Sequence, residues 1–195
     1  MKEKIKKGTS KILSIIFGII PILIGIIVLS FYIAWREEHR HKEQPARYEE
    51  QHAEWEYFHS TIGQFKVLFP VYPEHKTHYL DMGKLDVYIA EQTDGTTYLA
   101  EVGEFSPEVD VSNPETFLKE RLEEMLLIGD NELLSSNFIT FDEYKALDFS
   151  IRNKKYNIIS NGRMMIIEGR FYGLIGPGSK ESEYNKFIDS FRLTK

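Results

Sequence analysis

The spacing of apolar and polar positions changes twice along the chain, and the changes divide it. From Ile12 to Trp35 no residue is charged, and Leu and Ile dominate these 24 positions. A helix rises about 1.5 Å per residue, so the run is long enough to cross the roughly 30 Å hydrocarbon core of a bilayer. Gly18, Pro21 and Gly25 inside it are tolerated in lipid, and Tyr32 and Trp35 close it where amphipathic rings favour the headgroups. Residues 36–58 are polar, charged and interrupted by Pro45. After that proline the helix formers of RYEEQHAEWEYF place Tyr48, His52, Trp55 and Phe58 on one face. This predicts an amphipathic connector that lies on its own domain or on a partner helix.

Beyond Thr61 the period becomes two. Gln64–Phe69 puts Phe65, Val67 and Phe69 on one face before Pro70 and Pro73, and His75–Asp81 is a weaker strand. Lys84–Gln92 aligns Leu85, Val87 and Ile89; Asp94-Gly95 is a hairpin signal, and Thr96–Phe105 returns with Tyr98, Ala100 and Val102. Ser112-Asn113-Pro114-Glu115 opens a helix by supplying a capping side chain, proline in the first turn and an acid. Phe117, Leu118, Leu122, Met125 and Leu126 form its stripe, and Gly129 ends it. Strands resume at Glu132–Thr140, Tyr144–Arg152, Asn157–Ser160, Arg163–Glu168 and Arg170–Ile175, with Gly162 and Gly169 as turns. Gly176-Pro177-Gly178 breaks the chain before a helix from Ser179 to about Ser190, and Phe191–Leu193 finishes it. Two helices inserted among strands, without strict βαβ alternation, predict an α+β domain with an antiparallel sheet.

Charge gives these segments a direction. Residues 1–35 hold five lysines and one glutamate, whereas the other 160 residues hold 19 basic and 29 acidic side chains, a net −10. The lysines crowd the N-terminal side of the apolar run, while Arg36, Arg40, Lys42 and Arg47 on the far side are matched by acids. The positive-inside rule therefore favours a cytoplasmic N-terminus, although counting only Lys and Arg the margin is five to four. A cleaved signal peptide has an apolar region of about 7–15 residues and a small-x-small site. This run is longer and ends Tyr32-Ile33-Ala34, so an uncleaved anchor is expected. The expected organisation is a cytoplasmic basic tail (1–11), a transmembrane helix (12–35), a charged juxtamembrane stalk (36–58) and an extracytoplasmic domain (59–195) at the plasma membrane. The acidic outer part would be repelled by phosphate backbones, which argues against nucleic-acid binding.

The chain contains no cysteine. Thiol catalysis, thiolate metal sites, a lipobox and disulfide staples are all excluded.

Within the domain, Phe65-Lys66-Val67-Leu68-Phe69-Pro70 followed by Pro73 resembles the opening of bacterial domains of the PsbP-like α/β/α sandwich group. The group is named for the extrinsic protein of the photosystem II oxygen-evolving complex. Three later segments are similar to that group's closing pattern. They are Gly162-Arg163-Met164-Met165-Ile166-Ile167, Arg170-Phe171-Tyr172-Gly173-Leu174 and Phe187-Ile188-Asp189-Ser190-Phe191-Arg192-Leu193. The resemblance spans about residues 61–195 and implies an antiparallel sheet covered by two helices. The group's members are mostly non-enzymatic accessory or assembly proteins, so the resemblance implies little about mechanism. Read physically, Phe187, Ile188 and Phe191 bring aromatic weight onto the sheet, Ser190 ends the last helix, and Asp189 is a local backbone acceptor. Arg163 is expected to pair with an acid on the sheet surface.

Candidate chemistry is sparse. No G-x-S-x-G elbow occurs, and no histidine follows His78. Gly173, Gly178, Ser179 and Lys180 miss the phosphate-loop order, because lysine does not directly follow the second glycine. His39, His41, His52, His59, His75 and His78 cluster in sequence but lack helical ligand spacing and read as solvent-exposed. Glu101, Glu104, Glu108 and Asp110 crowd one strand end without the order of a calcium loop. Glu123 and Glu124 read as the helix's water-facing side.

No catalytic, cofactor-binding or metal-ligating residue is assigned. The expected function is a non-enzymatic interaction or accessory module, held to the bilayer through residues 12–35 and meeting a protein partner. The alternative is a ligand- or ion-binding sensor. A sensor requires a concave apolar pocket with converging polar groups, and a docking module requires an exposed apolar patch.

Overall fold

The computed structural model describes residues 55–127 and 130–194. The apolar run, the basic tail and the stalk up to residue 54 lie outside the described residues. Among the described residues no helix is long and apolar enough to cross a membrane.

Seven strands form one antiparallel sheet in the order β3-β4-β5-β9-β8-β7-β6. They are β3 (Glu74–Leu80), β4 (Gly83–Glu91), β5 (Thr97–Phe105), β6 (Asn131–Phe141), β7 (Tyr144–Asn153), β8 (Ile158–Ile167) and β9 (Arg170–Pro177). Two meanders, β3–β5 and β6–β9, join where β5 pairs with β9. Helix α1 (Pro114–Leu127) connects them and packs on β6, β7 and β8. The Asn113 side chain accepts the Thr116 amide at its start, satisfying a backbone donor that the helix leaves open. Phe117, Leu118, Leu122 and Met125 face Leu147, Phe149, Ile151, Met164 and Ile166 of the sheet.

The opposite face carries the larger core. It is covered by helix α2 (Glu181–Ile188) together with a three-stranded sheet of β1 (Glu56–Ser60), β2 (Phe65–Phe69) and β10 (Arg192–Leu193). Phe65, Val67 and Phe69, spaced by two, point inward against Tyr98, Val102, Tyr172, Leu174, Phe187 and Phe191. The Ser190 hydroxyl donates to the Phe187 carbonyl and accepts the Leu68 amide at 2.8 Å. One side chain thus ends α2 and ties it to β2.

The two helices and the antiparallel sheet agree with the sequence reading; four local details differ. The connector helix expected through Phe58 is strand β1 at its described end. Phe58 lies opposite Val67, with its ring against Phe65, Phe69 and Tyr88, and this pairing overrides local helix propensity. Trp55 does lie on the domain, edge-on to Tyr98 at 5.2 Å. Second, Gly162 is no turn: β8 runs through it opposite Phe149, and a β-carbon there would stand 2.3 Å from that ring. The glycine marks a close approach. Third, β9 continues through Gly176 to Pro177. Finally, β2 pairs with β1 and β10, leaving the large sheet's meander.

Candidate functional site

The face of the large sheet under α1 is only partly covered, since the helix lies on β6–β8. Beyond it, over β4, β5 and β9, a cleft of about 60 Å³ opens. Its walls are chiefly apolar: Leu80, Leu85, Phe105, Phe117, Phe171 and Ile175, with Met82, Met125 and Met164. The register accounts for the hollow. Glu101 of β5 stands opposite Gly173 of β9, and Gly103 stands opposite Phe171, so on each rung a bulky side chain faces an empty place. An added β-carbon at Gly173 would lie 3.0 Å from Glu101 Oε2.

Glu101 is the unusual group here. Its carboxyl lies over Gly173 and lines the cleft. No side chain or backbone group among the described residues hydrogen-bonds it. Burial with no compensating cation pushes the carboxyl up to about 7, because a charge removed from water is disfavoured. The other ionisable groups at the cleft already have partners. Arg121 pairs with Glu124 and stacks over Phe117 at 5.1 Å, although its Nε has no acceptor. Lys84 and Glu104, whose strands also line the cleft, are paired with Asp86 at 2.7 Å and with Arg170 at 3.1 Å.

Three features stand out among the described residues. The first is the cleft with Glu101. The second is Asp86, 1% exposed, which accepts hydrogen bonds from Thr77 Oγ1 at 2.6 Å and His75 Nε2 at 2.9 Å and meets Lys84. Burial alone would raise this carboxyl, but the hydrogen bonds from Lys84, Thr77 and His75 outweigh it and hold it below its ordinary value. The third is strand β6, at one edge of the seven-stranded sheet. It is 11 residues long, with Leu133, Leu134 and Phe138 all about 40% exposed. The sequence had singled out neither Asp86 nor β6.

The structure separates the residues that the sequence had grouped. Glu101 faces α1, Glu104 points to the opposite side and pairs with Arg170, Glu108 is exposed, and Asp110 accepts the Ser112 amide. Among the described residues no three His, Asp or Glu side chains converge as the ligands of a metal ion would. His59 and His75 are exposed, and His78 is half-buried on β3; His39, His41 and His52 lie outside the described residues. Arg163 makes the expected pair, donating to both oxygens of Asp148 at 2.6 and 2.8 Å, but its side chain is only 13% exposed. Glu123 faces water, but Glu124 does not; it is half-buried against Arg121. Lys180 binds Asp94 at 2.7 Å, which pins α2 to the β4–β5 hairpin.

No family model matches the chain, and no curated protein matches it. Among solved structures it is similar to the solution structure of cyanobacterial PsbP (CyanoP) from Synechocystis sp. PCC 6803. The TM-score is 0.54, over 76% of this chain and 98% of that one, at 11% sequence identity. The domain has the PsbP-like fold. At such low identity the likeness concerns architecture alone. The PsbP-like domain nonetheless gives the quoted motifs their physical meaning: Gly162 admits Phe149, Arg163 binds Asp148, and Ser190 joins α2 to β2.

Proposed function

We propose that this chain is a non-enzymatic accessory protein of the cell envelope. Its PsbP-like domain works outside the cytoplasm, held to the plasma membrane by residues 12–35, with the N-terminus inside. The anchor reading rests on the 24 uncharged residues and the lysines before them. The docking reading rests on β6. Among the described residues no strand pairs with its outer side, so a row of main-chain donors and acceptors is open to an extended segment of a partner protein. Natural edges are commonly blunted by charge, and the opposite edge, β3, follows that rule with Glu74, Lys76 and two histidines. Strand β6 holds one charged residue, Glu132, in eleven.

Crosslinking and pull-down of the full-length protein from its own membranes test this reading. The expected result is a partner recovered by the native protein and lost by the Leu134→Lys, Phe138→Lys double variant, with an unchanged melting curve. Equal recovery by both proteins would place docking elsewhere; no recovery by either would remove the proposal.

A specific observation favours a second reading, the ligand-binding one. The cleft under α1 is concave, apolar and furnished with an unpaired carboxyl, which is the arrangement of small-molecule sites.

A further inference from the structure

We propose that the cleft beneath α1 binds a small organic ammonium ion, its aliphatic body among the methionines and its charged head on the carboxylate of Glu101. This deepens the ligand-binding reading of the cleft and rests on it.

Cleft shape and charge together select that chemistry. The walls offer Leu85, Phe105, Phe171 and three methionine side chains, Met82, Met125 and Met164. Methionine is unbranched and polarisable, and adapts to an aliphatic chain of variable length. The floor offers one anion without a partner, and a half-buried acid in that state gains from any cation that reaches it. Among the described residues no cation serves that need. Arg121 is committed to Glu124, Lys84 to Asp86, and Arg170 to Glu104. On β3, Lys76 and His78 share the face that Glu101 occupies, but they stand two strands away, and Lys76 pairs with Glu74 at 3.2 Å. A bare metal ion is a poor match, since among the described residues no three His, Asp or Glu side chains converge there. A carboxylate ligand would meet Glu101 as a like charge. A primary ammonium supplies three donors to an acceptor-only group, and its chain fills apolar space.

Three of the chain's five methionines line the cleft, so their methyl groups report on occupancy. The experiment uses full-length protein in a neutral detergent, labelled with ¹³C at the methionine methyls, at pH 8.5. n-Hexylammonium is titrated in, alongside n-hexanol and hexanoate. Nα-acetyl-lysine amide is a fourth probe, because a partner's lysine carries the same head on a similar chain. The expected result is saturable displacement of the Met82, Met125 and Met164 signals by the ammonium probes, with Met165 unmoved. The tighter of the two probes identifies the source as a free amine or a lysine side chain. Glu101→Gln should weaken this binding about tenfold or more, equivalent to at least one unit of protonation linkage. Affinity in the native protein should rise with pH up to about 7, where the Glu101 carboxyl ionises, and level off above it. In Glu101→Gln it should not change with pH. Hexanol or hexanoate binding as well as the ammonium, or Glu101→Gln leaving affinity unchanged, would overturn the ligand class while leaving the cleft a ligand site. No displacement by any of the four probes would remove the ligand-binding reading itself.

Discussion

Asp86 is buried and Glu101 half-buried, and their surroundings drive the two carboxyls in opposite directions. Asp86 is surrounded by three donors, whereas Glu101 lies against glycine, phenylalanine and methionine. The sign of each pH effect follows. The Glu101 carboxyl is raised from 4.5 to about 7 on folding, so its contribution to stability is most favourable below the unfolded value and is lost as pH climbs through about 7. Glu101→Gln should therefore melt higher than the native protein at pH 8, by on the order of 1–3 kcal/mol, and lose this advantage by about pH 4. Thermal denaturation followed by circular dichroism across that range is the measurement; an advantage that grows toward acid would contradict the sign. Asp86 is the reverse case. Its depressed carboxyl adds stability above the ordinary aspartate value, and that stability is lost as pH falls through the lower folded value. Asp86→Ala leaves Lys84 without its ion-pair partner and should cost about 2–4 kcal/mol in chemical denaturation at neutral pH. The contrast between the two was half legible in the sequence. Glu101 and Glu104 are three apart in a strand, so alternation alone places them on opposite faces and Glu101 among Leu99, Gly103 and Phe105. Asp86 was not legible, because its donors come from Thr77 and His75 on the next strand and depend on register.

At the level of elements, the strands were recoverable wherever a two-residue period met an apolar face, and their pairing was not. Strand β2 displays its alternation in Phe65, Val67 and Phe69, yet its partners are β1 before it and β10 at the far end of the chain. Gly162 is the instructive error. A glycine between two strand-like runs reads as a turn, and only the cross-strand neighbour Phe149 reveals that the missing side chain is the point. Gly162→Ala should cost about 1–3 kcal/mol through overpacking, measured by denaturant unfolding. Gly162→Ala combined with Phe149→Leu should recover part of that loss, since the ring is the obstacle. Strand β6 likewise looked ordinary from its residues, and its open edge exists only because the second meander runs outward from β9. Lysine at Leu134 and Phe138 should change stability by no more than about 0.5 kcal/mol, as both side chains face solvent.

For the whole molecule, the proposed position and the observed fold belong to two different parts of the chain. The proposed anchor predicts that protease added to cells stripped of their outer layers removes residues 36–195, whereas protection would show the reverse orientation. Deleting residues 12–35 should release the domain from the membrane fraction, as read by fractionation and immunoblotting. The sequence by itself determined most of the elements and the charge imbalance: each follows from the spacing or composition of neighbouring residues, which is local information. It also determined the α+β class, because apolar period and end signals are written within single segments. Tertiary structure decided what lies opposite what. It put a three-stranded sheet beside α2, set Gly173 against Glu101 to open the cleft, and left β6 at an edge. Those outcomes depend on pairings between residues dozens of positions apart, where many registers satisfy the same local pattern and packing selects one.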